Sequence, residues 1–456
     1  MLLFFLILII LYLSYLFNKG EIIAPAFVFC ASFIFSLAWA LAYANRWDLN
    51  LHFNTFGVIL GGVLEFFLVS ILVNFAFRKT GKNKIIGTTS EKKIEISNLK
   101  IIIFIIGGVI TILLSAKEVI RLTESLTLSQ AIAQYRIASF NPTSLDHYKY
   151  FLPKWLGYCR LIVNSGGYWF AYIFAYDLIR KDKRKILSFV AVIVAAIDSA
   201  ILGSRNDAIN MLLAVLSIIV MLKIKNGMFR FKLKFKNIFK YLILAIIVLF
   251  SFQTLGNLMG RTSVTAPLDY LAKYCGAEIK NLDIFLQEGN FPKKEGLIGA
   301  QTFIFLYRWV GPKIGIKNYY YSFDLPFKTV NGYSLGNVYT TFYQFIYDFG
   351  YFGVIILVFI MALISQIIYE CGFCGKRKNV PNLWIIIYSY IFSSLAFSFF
   401  SNKFFEQNLN VTFFKSVIIW LFFSFLFCKI KINFKSRVHI QIKKKCTSQH
   451  ILDTKL

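Results

Sequence analysis

Arginine and aspartate occur together in a short polar break between two apolar runs, in AAIDSAILGSRNDAINMLLAV at 195–215. Gly203 and Ser204 permit a sharp turn, and Ser204 or Asn206 can cap the helix that follows. Arg205 is then at a helix N-terminus, where free N–H groups and the helix dipole favour an anion. A guanidinium binds phosphate oxygens through paired donors, so this corner fits a phosphate ligand. It equally fits a turn whose arginine reaches toward lipid phosphate.

A second charge, Asp198, stands inside the apolar run before this corner. A charge at the centre of a membrane span costs about 2.5–3.5 kcal/mol on insertion scales, so Asp198 should face the interior of a bundle or be protonated. It lies about two helical turns before Arg205 and can orient a cation near the corner. A purely structural polar contact is the stronger alternative.

The apolar runs around this corner define the class of protein. The chain has 456 residues, of which 57% are hydrophobic and 18% aromatic, and its mean hydropathy is +0.63. Soluble domains are usually about 45–50% apolar. Many runs approach the roughly 20 residues that a membrane-spanning helix needs. The sequence therefore predicts an all-α, polytopic integral membrane protein and not several soluble domains.

Eleven apolar runs are predicted to span the membrane, at 1–17, 22–44, 54–77, 101–115, 153–179, 186–203, 208–222, 241–255, 351–370, 383–400 and 411–428. The first run lacks the positive start and the cleavage site of a signal peptide, so we interpret it as a retained helix. Residues 1–428 then form one transmembrane bundle with two long outer segments, 116–152 and 256–350. A basic cytoplasmic tail follows at 429–456.

Basic residues predict the orientation of these spans. Of the 50 Lys and Arg residues, 31 fall on one side of the eleven-span topology, at Lys19 and in the segments 78–100, 180–185, 223–240, 372–382 and 429–456. The positive-inside rule makes that side the cytoplasm, with the N-terminus outside and the C-terminus inside. Much of the net charge of +28 is then topogenic. The basic loops meet anionic membrane lipids, and nucleic-acid binding is not expected.

The larger outer segment contains APLDYLAKYCGAEIKNLDIFLQ at 266–287. Its apolar residues recur near helical spacing, at Leu268, Leu271, Ile279, Leu282 and Phe285, which predicts one amphipathic helix. The aromatic density of the segment suits an interfacial position along the membrane surface. A folded cap without chemistry is the alternative.

Two motifs resemble those of the bacterial oligosaccharide repeat-unit polymerases, the Wzy-type O-antigen polymerases. ILGSRNDAI carries a G-S-R like the one these proteins typically have at an outer helix end. SLGNVYTTFYQFIYDFGYFGVII is similar to their N-x-Y-T…D-F-G-x-x-G segment before a late span. The matching residues are Gly203, Ser204, Arg205, Asn337, Tyr339, Thr340, Asp348, Phe349, Gly350 and Gly353. The predicted layout of eleven spans with one dominant outer loop resembles that of the family across almost the whole chain.

The resemblance implies a GT-C-like glycosyltransferase at the outer face of the bacterial cytoplasmic (inner) membrane. The donor would be a growing chain on undecaprenyl diphosphate, and the acceptor would be a single repeat unit on the same lipid. The product would be O-antigen or a capsular or exopolysaccharide polymer. The resemblance implies no cofactor, and it allows a chain-length regulator protein as a further partner.

Such chemistry gives roles to the outer polar residues. A diphosphate leaves readily once its charge is stabilised, so cations matter more than a strong acid. The candidate clamp is Arg205, Arg136 and Arg261, with Arg160 and Arg308 in reserve. Fixed arginines in place of a metal fit the absence of a D-x-D motif from the outer segments. The acceptor hydroxyl needs a base within hydrogen-bond reach, and the candidates, with the first slightly favoured, are Asp348, Asp207, Glu278 and His147.

Other functions stay open. An O-antigen ligase would share the fold and the arginines, and Arg205 with Ile209 nearly matches the R-x-x-x-L element of ligases. A flippase for the same lipid-linked oligosaccharide would have a charged lumen and usually internal repeats, and no repeat is visible in this sequence. A dolichyl-phosphate-type glycosyltransferase would need an early outer acid, for which Asp48 is the candidate. A non-enzymatic membrane scaffold would leave the outer arginines unexplained.

Overall fold

The computed structural model describes residues 1–79, 94–140, 151–202, 205–228, 267–293, 297–315, 325–374, 379–431 and 441–442. Regular structure in these ranges is almost entirely helical, which confirms the predicted all-α class. Strands in the described ranges form two short antiparallel pairs. β1 (Lys328–Val330) pairs with β2 (Tyr333–Gly336), and β3 (Ile430–Lys431) pairs with β4 (Gln441–Ile442).

Eight helices precede residue 226 in the described ranges: α1 (Leu2–Phe17), α2 (Pro25–Ala42), α3 (Phe53–Lys79), α4 (Asn98–Thr123), α5 (Leu128–Phe140), α6 (Lys154–Ile179), α7 (Lys185–Ala200) and α8 (Arg205–Lys225). The following segment has short helices, which are α9 (Pro267–Cys275), α10 (Ala277–Gln287), α11 (Ile304–Val310) and α12 (Phe342–Phe349). A 3-10 turn at Gly311–Ile314 follows α11. The last described helices are α13 (Tyr351–Phe373), α14 (Leu383–Ala396), α15 (Lys403–Asn408) and α16 (Val411–Cys428).

Six of the described helices are long and apolar enough to cross a membrane, namely α2, α3, α4, α8, α13 and α16. The shorter helices α1 and α14 are also apolar. These helices support the membrane-embedded class that the composition predicts. Ten of the eleven predicted spans coincide with described helices, and the run at 241–255 lies outside the described residues. The count of eleven spans, the orientation and the GT-C-like fold stay predictions.

Helix α4 extends past the predicted span 101–115 at both ends. Its first turn contains Lys100, which is buried. The ammonium of Lys100 donates to the carbonyl oxygens of Leu426 at 2.8 Å and Phe427 at 3.2 Å, in the last turn of α16. A cation at a helix C-terminus satisfies carbonyls that have no partner within their own helix. The basic residue therefore joins two helices where hydropathy alone predicts the end of a span.

Helix α6 is central to the bundle and packs against α4, α7, α8, α14 and α16. Its Gly166–Gly167 pair permits this packing. A Cβ on Gly167 would lie 2.5 Å from side-chain carbons of Ala195 in α7 and Met211 in α8. Small residues allow helix backbones to approach in this way. The indole nitrogen of Trp420 in α16 then donates to the carbonyl oxygen of Ser165 at 2.7 Å.

The predicted single amphipathic helix over 266–287 is wrong, because the structure divides it into α9 and α10 at Gly276. At that residue the chain meets the backbone of α2. A Cβ on Gly276 would lie 2.6 Å from the amide nitrogen of Ala40, so the segment bends at the one residue without a side chain. Nearly all of α10 is buried against α2, α3, α12 and β2, so the protein itself covers the apolar face of this helix.

A fully buried carboxylate, Asp283, joins α10 to the start of α3. It accepts hydrogen bonds from the hydroxyl of Thr55 at 2.6 Å, the backbone N–H of His52 at 2.9 Å and the side-chain amide of Gln287 at 3.1 Å. The ammonium of Lys280 lies 3.9 Å away. Negative charge is favourable in the first turn of a helix. Asp283 thus fixes the segment after residue 267 to the bundle.

We expect Asp283→Ala to lower the free energy of unfolding by about 3–5 kcal/mol, because it leaves the buried Lys280 without a carboxylate partner and several donors without an acceptor. Denaturant titration in mixed micelles, followed by far-UV circular dichroism, measures the loss. The matched control is Asp269→Ala. Asp269 bonds Arg46 at 3.0 Å in a pair that is about half exposed, so its loss should cost less than about 1 kcal/mol. Equal losses in the two variants would contradict the role of Asp283.

Candidate functional site

Three cavities open at the end of the bundle where α8 begins. We call them the cationic, polar and apolar cavities, and their volumes are about 620, 490 and 250 Å³. The cationic and polar cavities share Asp207, Tyr390 and Thr412 as walls. The polar and apolar cavities share four wall residues, which are Asn206, Phe400, Lys403 and Gln407. The first turn of α8 therefore lies where all three cavities meet.

The cationic cavity has Lys154, Arg160 and Lys415 in its walls. Lys154 is the first residue of α6, and Arg160 lies in the second turn of the same helix. Lys415 is in the first turns of α16, with its ammonium 5.0 Å from the ring centre of Tyr158. Three cations on two neighbouring helix starts can neutralise an anion with several charges, such as a diphosphate.

Arg160 is held in place by Asp198 of α7. One guanidinium nitrogen donates to the carboxylate of Asp198 at 3.1 Å, and the other donates to its backbone carbonyl at 2.6 Å. Both side chains are buried. The sequence predicted that Asp198 faces the interior, which is confirmed, and it favoured a structural polar contact over a role in orienting a cation; the partner of Asp198 is Arg160. Because these contacts fix the guanidinium before any ligand binds, little ordering is needed on binding.

The polar cavity is bounded by carboxamides and carboxylates, which are Asp207, Gln301, Asn337, Gln344, Glu406, Gln407 and Asn410. Glu406 lies in α15 and is buried. It bonds the ammonium of Lys403 at 2.6 Å and accepts a hydrogen bond from the side-chain amide of Gln344 at 3.2 Å. Such a wall of amides and acids suits a ligand with many hydroxyl groups.

The apolar cavity is lined mainly by carbon, including Phe35, Leu213, Leu271 and Phe397. It lies between α2, α8, α9 and the turn that follows α14. A hydrocarbon chain gains about 25 cal/mol for each Å² of surface that it buries in such a cavity. One end of the bundle therefore offers adjoining places for an anion, a polyol and a hydrocarbon.

Asp207 is the one predicted base that lines these cavities in the described part of the chain. It is exposed and occupies the first turn of α8, two residues after Arg205. Tyr390 and Thr412 complete the wall between the cationic and polar cavities. A proton acceptor at this wall reaches ligands on both of its sides, which is the position that transfer between two bound groups requires.

Asp348 does not line the three cavities in the described ranges. Its carboxylate accepts from the backbone N–H groups of Gln301 at 3.2 Å and Thr302 at 2.6 Å. Burial raises the pKa of Asp348, and the two hydrogen bonds offset part of that rise. The side chain of Gln301 lies in the wall of the polar cavity. Asp348 thus fixes the backbone at Gln301, which lines the polar cavity, without lining the cavity itself.

Glu278 is fully buried in α10, and neither carboxylate oxygen has a hydrogen-bond partner among the described residues. Burial raises the pKa of Glu278 well above its usual range. Burial therefore favours the neutral form of Glu278, and a neutral carboxyl is a poor proton acceptor. Glu278 is also outside the described walls of the three cavities.

The arginine candidates for the diphosphate clamp differ in their positions relative to the three cavities. Arg160 lines the cationic cavity, whereas Arg136 in α5 and Arg308 in α11 are outside the described cavity walls. Arg308 is exposed, with its guanidinium 5.8 Å from the ring centre of Phe305. Arg205 is the first residue of α8. The side chain of Arg205 lies outside the described part of the chain, as do all of Arg261 and His147 and the Gly203–Ser204 turn.

Sequence reasoning missed Lys154, Lys415, Lys403 and Glu406. A signal was present for the first two. Both lysines stand at the predicted outer ends of spans, where the positive-inside rule leaves few basic residues. The Lys403–Glu406 pair falls in a turn between predicted spans and gives no pattern of its own.

Comparisons of this chain with protein-family models, with curated proteins and with solved structures find no match.

We expect Lys154→Ala and Lys415→Ala each to weaken the binding of inorganic diphosphate about tenfold, a loss of about 1.4 kcal/mol. Isothermal titration of the full-length protein in nanodiscs measures this binding. Raising the salt concentration should weaken it further, since the cavity is open to water. Arg308→Ala is the matched control and should leave binding unchanged. An equal loss for Arg308→Ala would contradict the assignment of the anion to this cavity.

We expect Glu278→Gln to flatten the pH dependence of stability. The folded-state pKa of Glu278 is raised above the unfolded value of about 4.3. Its contribution to stability is therefore fully present below about pH 4 and is lost as pH rises through the folded pKa. Thermal unfolding in nanodiscs from acid to neutral pH measures the difference, with Glu288→Gln as the exposed control. A variant that loses stability relative to the parent chain as pH rises would refute the protonated assignment.

Proposed function

We propose that this protein is a membrane glycosyltransferase that polymerises undecaprenyl-diphosphate-linked oligosaccharide repeat units. Its product would be O-antigen or a capsular or exopolysaccharide, made at the outer face of the bacterial cytoplasmic membrane. The observation that carries the proposal is the wall at Asp207. This carboxylate separates a cavity with three cations from a cavity of amides and acids. A transferase for phosphate-linked sugars needs such neighbouring sites for an anionic leaving group and for a polyol.

The donor diphosphate binds in the cationic cavity in this mechanism. Arg160, Lys154 and Lys415 neutralise the charge that develops on the diphosphate oxygen as its bond to the anomeric carbon breaks. Arg205, the first residue of α8, is the further clamp cation that we propose. Free N–H groups at the start of α8 add to the attraction for phosphate.

The acceptor sugar binds in the polar cavity, with its nucleophilic hydroxyl facing Asp207. The hydroxyl oxygen forms the new bond to the anomeric carbon, and its proton passes to the Asp207 carboxylate. The electron pair of the broken carbon–oxygen bond leaves with undecaprenyl diphosphate. Atoms and charge balance without a metal or cofactor, since the cations take the charge of the leaving group and Asp207 takes the proton.

The apolar cavity supports a lipid-linked substrate. It borders the polar cavity through Phe400 and Gln407, so one molecule with a hydrocarbon part and a sugar part can enter both. An O-antigen ligase would use the same three surfaces with a different acceptor, and a flippase would need no base at the shared wall. The nature of the accumulated product distinguishes these three functions.

We expect deletion of the gene to leave only single repeat units on the outer acceptor, as seen on a surface-polysaccharide gel. Restoring the chain with Asp207→Asn or Arg205→Ala should give the same pattern. Removal of the general base costs about 10²–10⁴-fold in rate, and removal of the clamp cation leaves the charge of the departing diphosphate less stabilised. The control Arg308→Ala should restore the full ladder. All variants must be present in the membrane at equal amounts, which immunoblotting measures.

Other patterns on the same gel contradict the proposal. Full-length polymer that stays on its lipid carrier in the deletion strain identifies a ligase. Loss of even single exported repeats identifies a flippase. A normal ladder from Asp207→Asn shows that Asp207 is not the base. A normal ladder from Arg205→Ala shows that Arg205 does not bind the diphosphate and belongs only to a turn.

A further inference from the structure

Two tyrosines with adjacent rings line the cationic cavity, namely Tyr168 of α6 and Tyr390 of α14. Tyr390 also lines the polar cavity, so it belongs with Asp207 and Thr412 to the wall that the two cavities share. Tyr168 lines the cationic cavity and neither of the other two in their described walls. The two phenols thus stand at different places relative to the wall where transfer between bound groups would occur.

The hydroxyls of Tyr168 and Tyr390 make no hydrogen bond to the described residues, although Tyr168 is buried. A buried tyrosine usually has a partner for its hydroxyl. Tyr369, for example, donates to the carboxylate of Glu21 at 2.7 Å. Because Tyr168 and Tyr390 both line the cationic cavity, their hydroxyls are available as donors to an anion that binds there.

Aromatic contacts hold the ring of Tyr390 in place. Its centre lies 5.2 Å from that of Tyr168, 5.1 Å from that of Phe413 and 6.2 Å from that of Trp420. Favourable aromatic pairs have ring centres about 4.5–7 Å apart. Helices α6, α14 and α16 each contribute at least one of these rings. The phenol oxygen of Tyr390 is therefore positioned before a substrate binds, which is what makes a donor effective in a transition state.

We propose that the hydroxyl of Tyr390 donates a hydrogen bond to the diphosphate oxygen that leaves the anomeric carbon. This role rests on the proposed function, in which the diphosphate lies in the cationic cavity and the acceptor hydroxyl lies in the polar cavity. The carbon–oxygen bond that breaks is then at the wall that both cavities share. Asp207 is the base in that wall, and the phenol of Tyr390 is a more acidic donor than the aliphatic hydroxyl of Thr412.

Tyr390 keeps its proton throughout this step. The electron pair of the broken bond stays on the diphosphate oxygen, and the Tyr390 hydroxyl stabilises the charge that develops there. The proton of the acceptor hydroxyl passes to Asp207. Tyr168 has a different role, because it lies away from the shared wall. Its hydroxyl donates to a phosphate oxygen that is charged before and after the step, so it supports binding and not the rate of transfer.

Removal of single oxygen atoms tests the two roles. The full-length protein in nanodiscs is given the lipid-linked repeat units that the deletion strain accumulates, and the initial rate of chain extension is measured. We expect Tyr390→Phe, which keeps the ring, to lower kcat about 10²-fold with little change in KM. Tyr168→Phe should weaken the binding of inorganic diphosphate about tenfold and leave kcat nearly unchanged. Tyr333→Phe, at an exposed position outside the described cavity walls, is the matched control.

A fluorinated side chain separates a chemical role of Tyr390 from a structural one. Tyr390→3-fluorotyrosine keeps the ring and the hydroxyl, and the fluorine makes the phenol a more acidic donor. If this donor stabilises the leaving oxygen, kcat should exceed that of the parent chain at about pH 6, where the phenol stays protonated. A hydroxyl that only supports the packing would give no increase.

The inference is overturned if Tyr390→Phe extends chains at the parent rate, if it changes KM alone, or if Tyr390→3-fluorotyrosine gives no increase in kcat. Failure of the proposed function has a different signature. In that case the parent chain itself forms no polymer from the lipid-linked units, and the role of Tyr390 is overturned together with the function. Tyr168→Phe would still weaken the binding of inorganic diphosphate, because that contact depends only on the cationic cavity.

Discussion

Two buried ion pairs, one at each end of the α6–α7 hairpin, set the geometry on which the cavities depend. Arg160 lies 3.1 Å from Asp198, and Arg184 lies 2.5 Å from Asp177. Removing a charge from water costs several kcal/mol per ion unless a partner and further hydrogen bonds replace the water. Each arginine has both, since Arg160 also donates to the carbonyl of Asp198 and Arg184 to that of Ile94. The hairpin consequently has one favourable register, and it places the end of α7 next to the start of α8.

That register explains why cations and acidic groups lie on opposite sides of Asp207 at this end of the bundle. Arg160 is fixed at the floor of the cationic cavity, while Lys154 and Lys415 stand exposed at its mouth. On the other side of Asp207, the acidic and amide groups belong to α12, to α15 and to the segments before α11, α12 and α16. Different parts of the chain thus supply the two signs of charge, and a first-turn carboxylate of α8 separates them. This separation is the physical basis of the function that we propose.

The sequence predicted the parts of this arrangement that depend on local pattern. Apolar run length predicted ten helices close to where they lie, and the cost of a charge inside a run predicted that Asp198 faces inward. The break at Gly276 depends on contact with α2, more than 200 residues away in the chain, and no local pattern contains it. Likewise Lys415 and Lys154 share a cavity only because α16 packs on α6. Asp348 was favoured as a base from a motif, yet its hydrogen bonds are to the backbone at 301–302.

Lys403 has a position that no other described cation shares, in the common wall of the apolar and polar cavities. A molecule that fills both cavities must change from hydrocarbon to polar groups at the depth of this ammonium. The boundary between its two halves is then aligned with Lys403 whatever the length of either half. The bundle would thereby set the register of a long amphiphile by the point where its polarity changes. In the function that we propose, substrates that differ widely in lipid length or sugar number present the same atoms to Asp207.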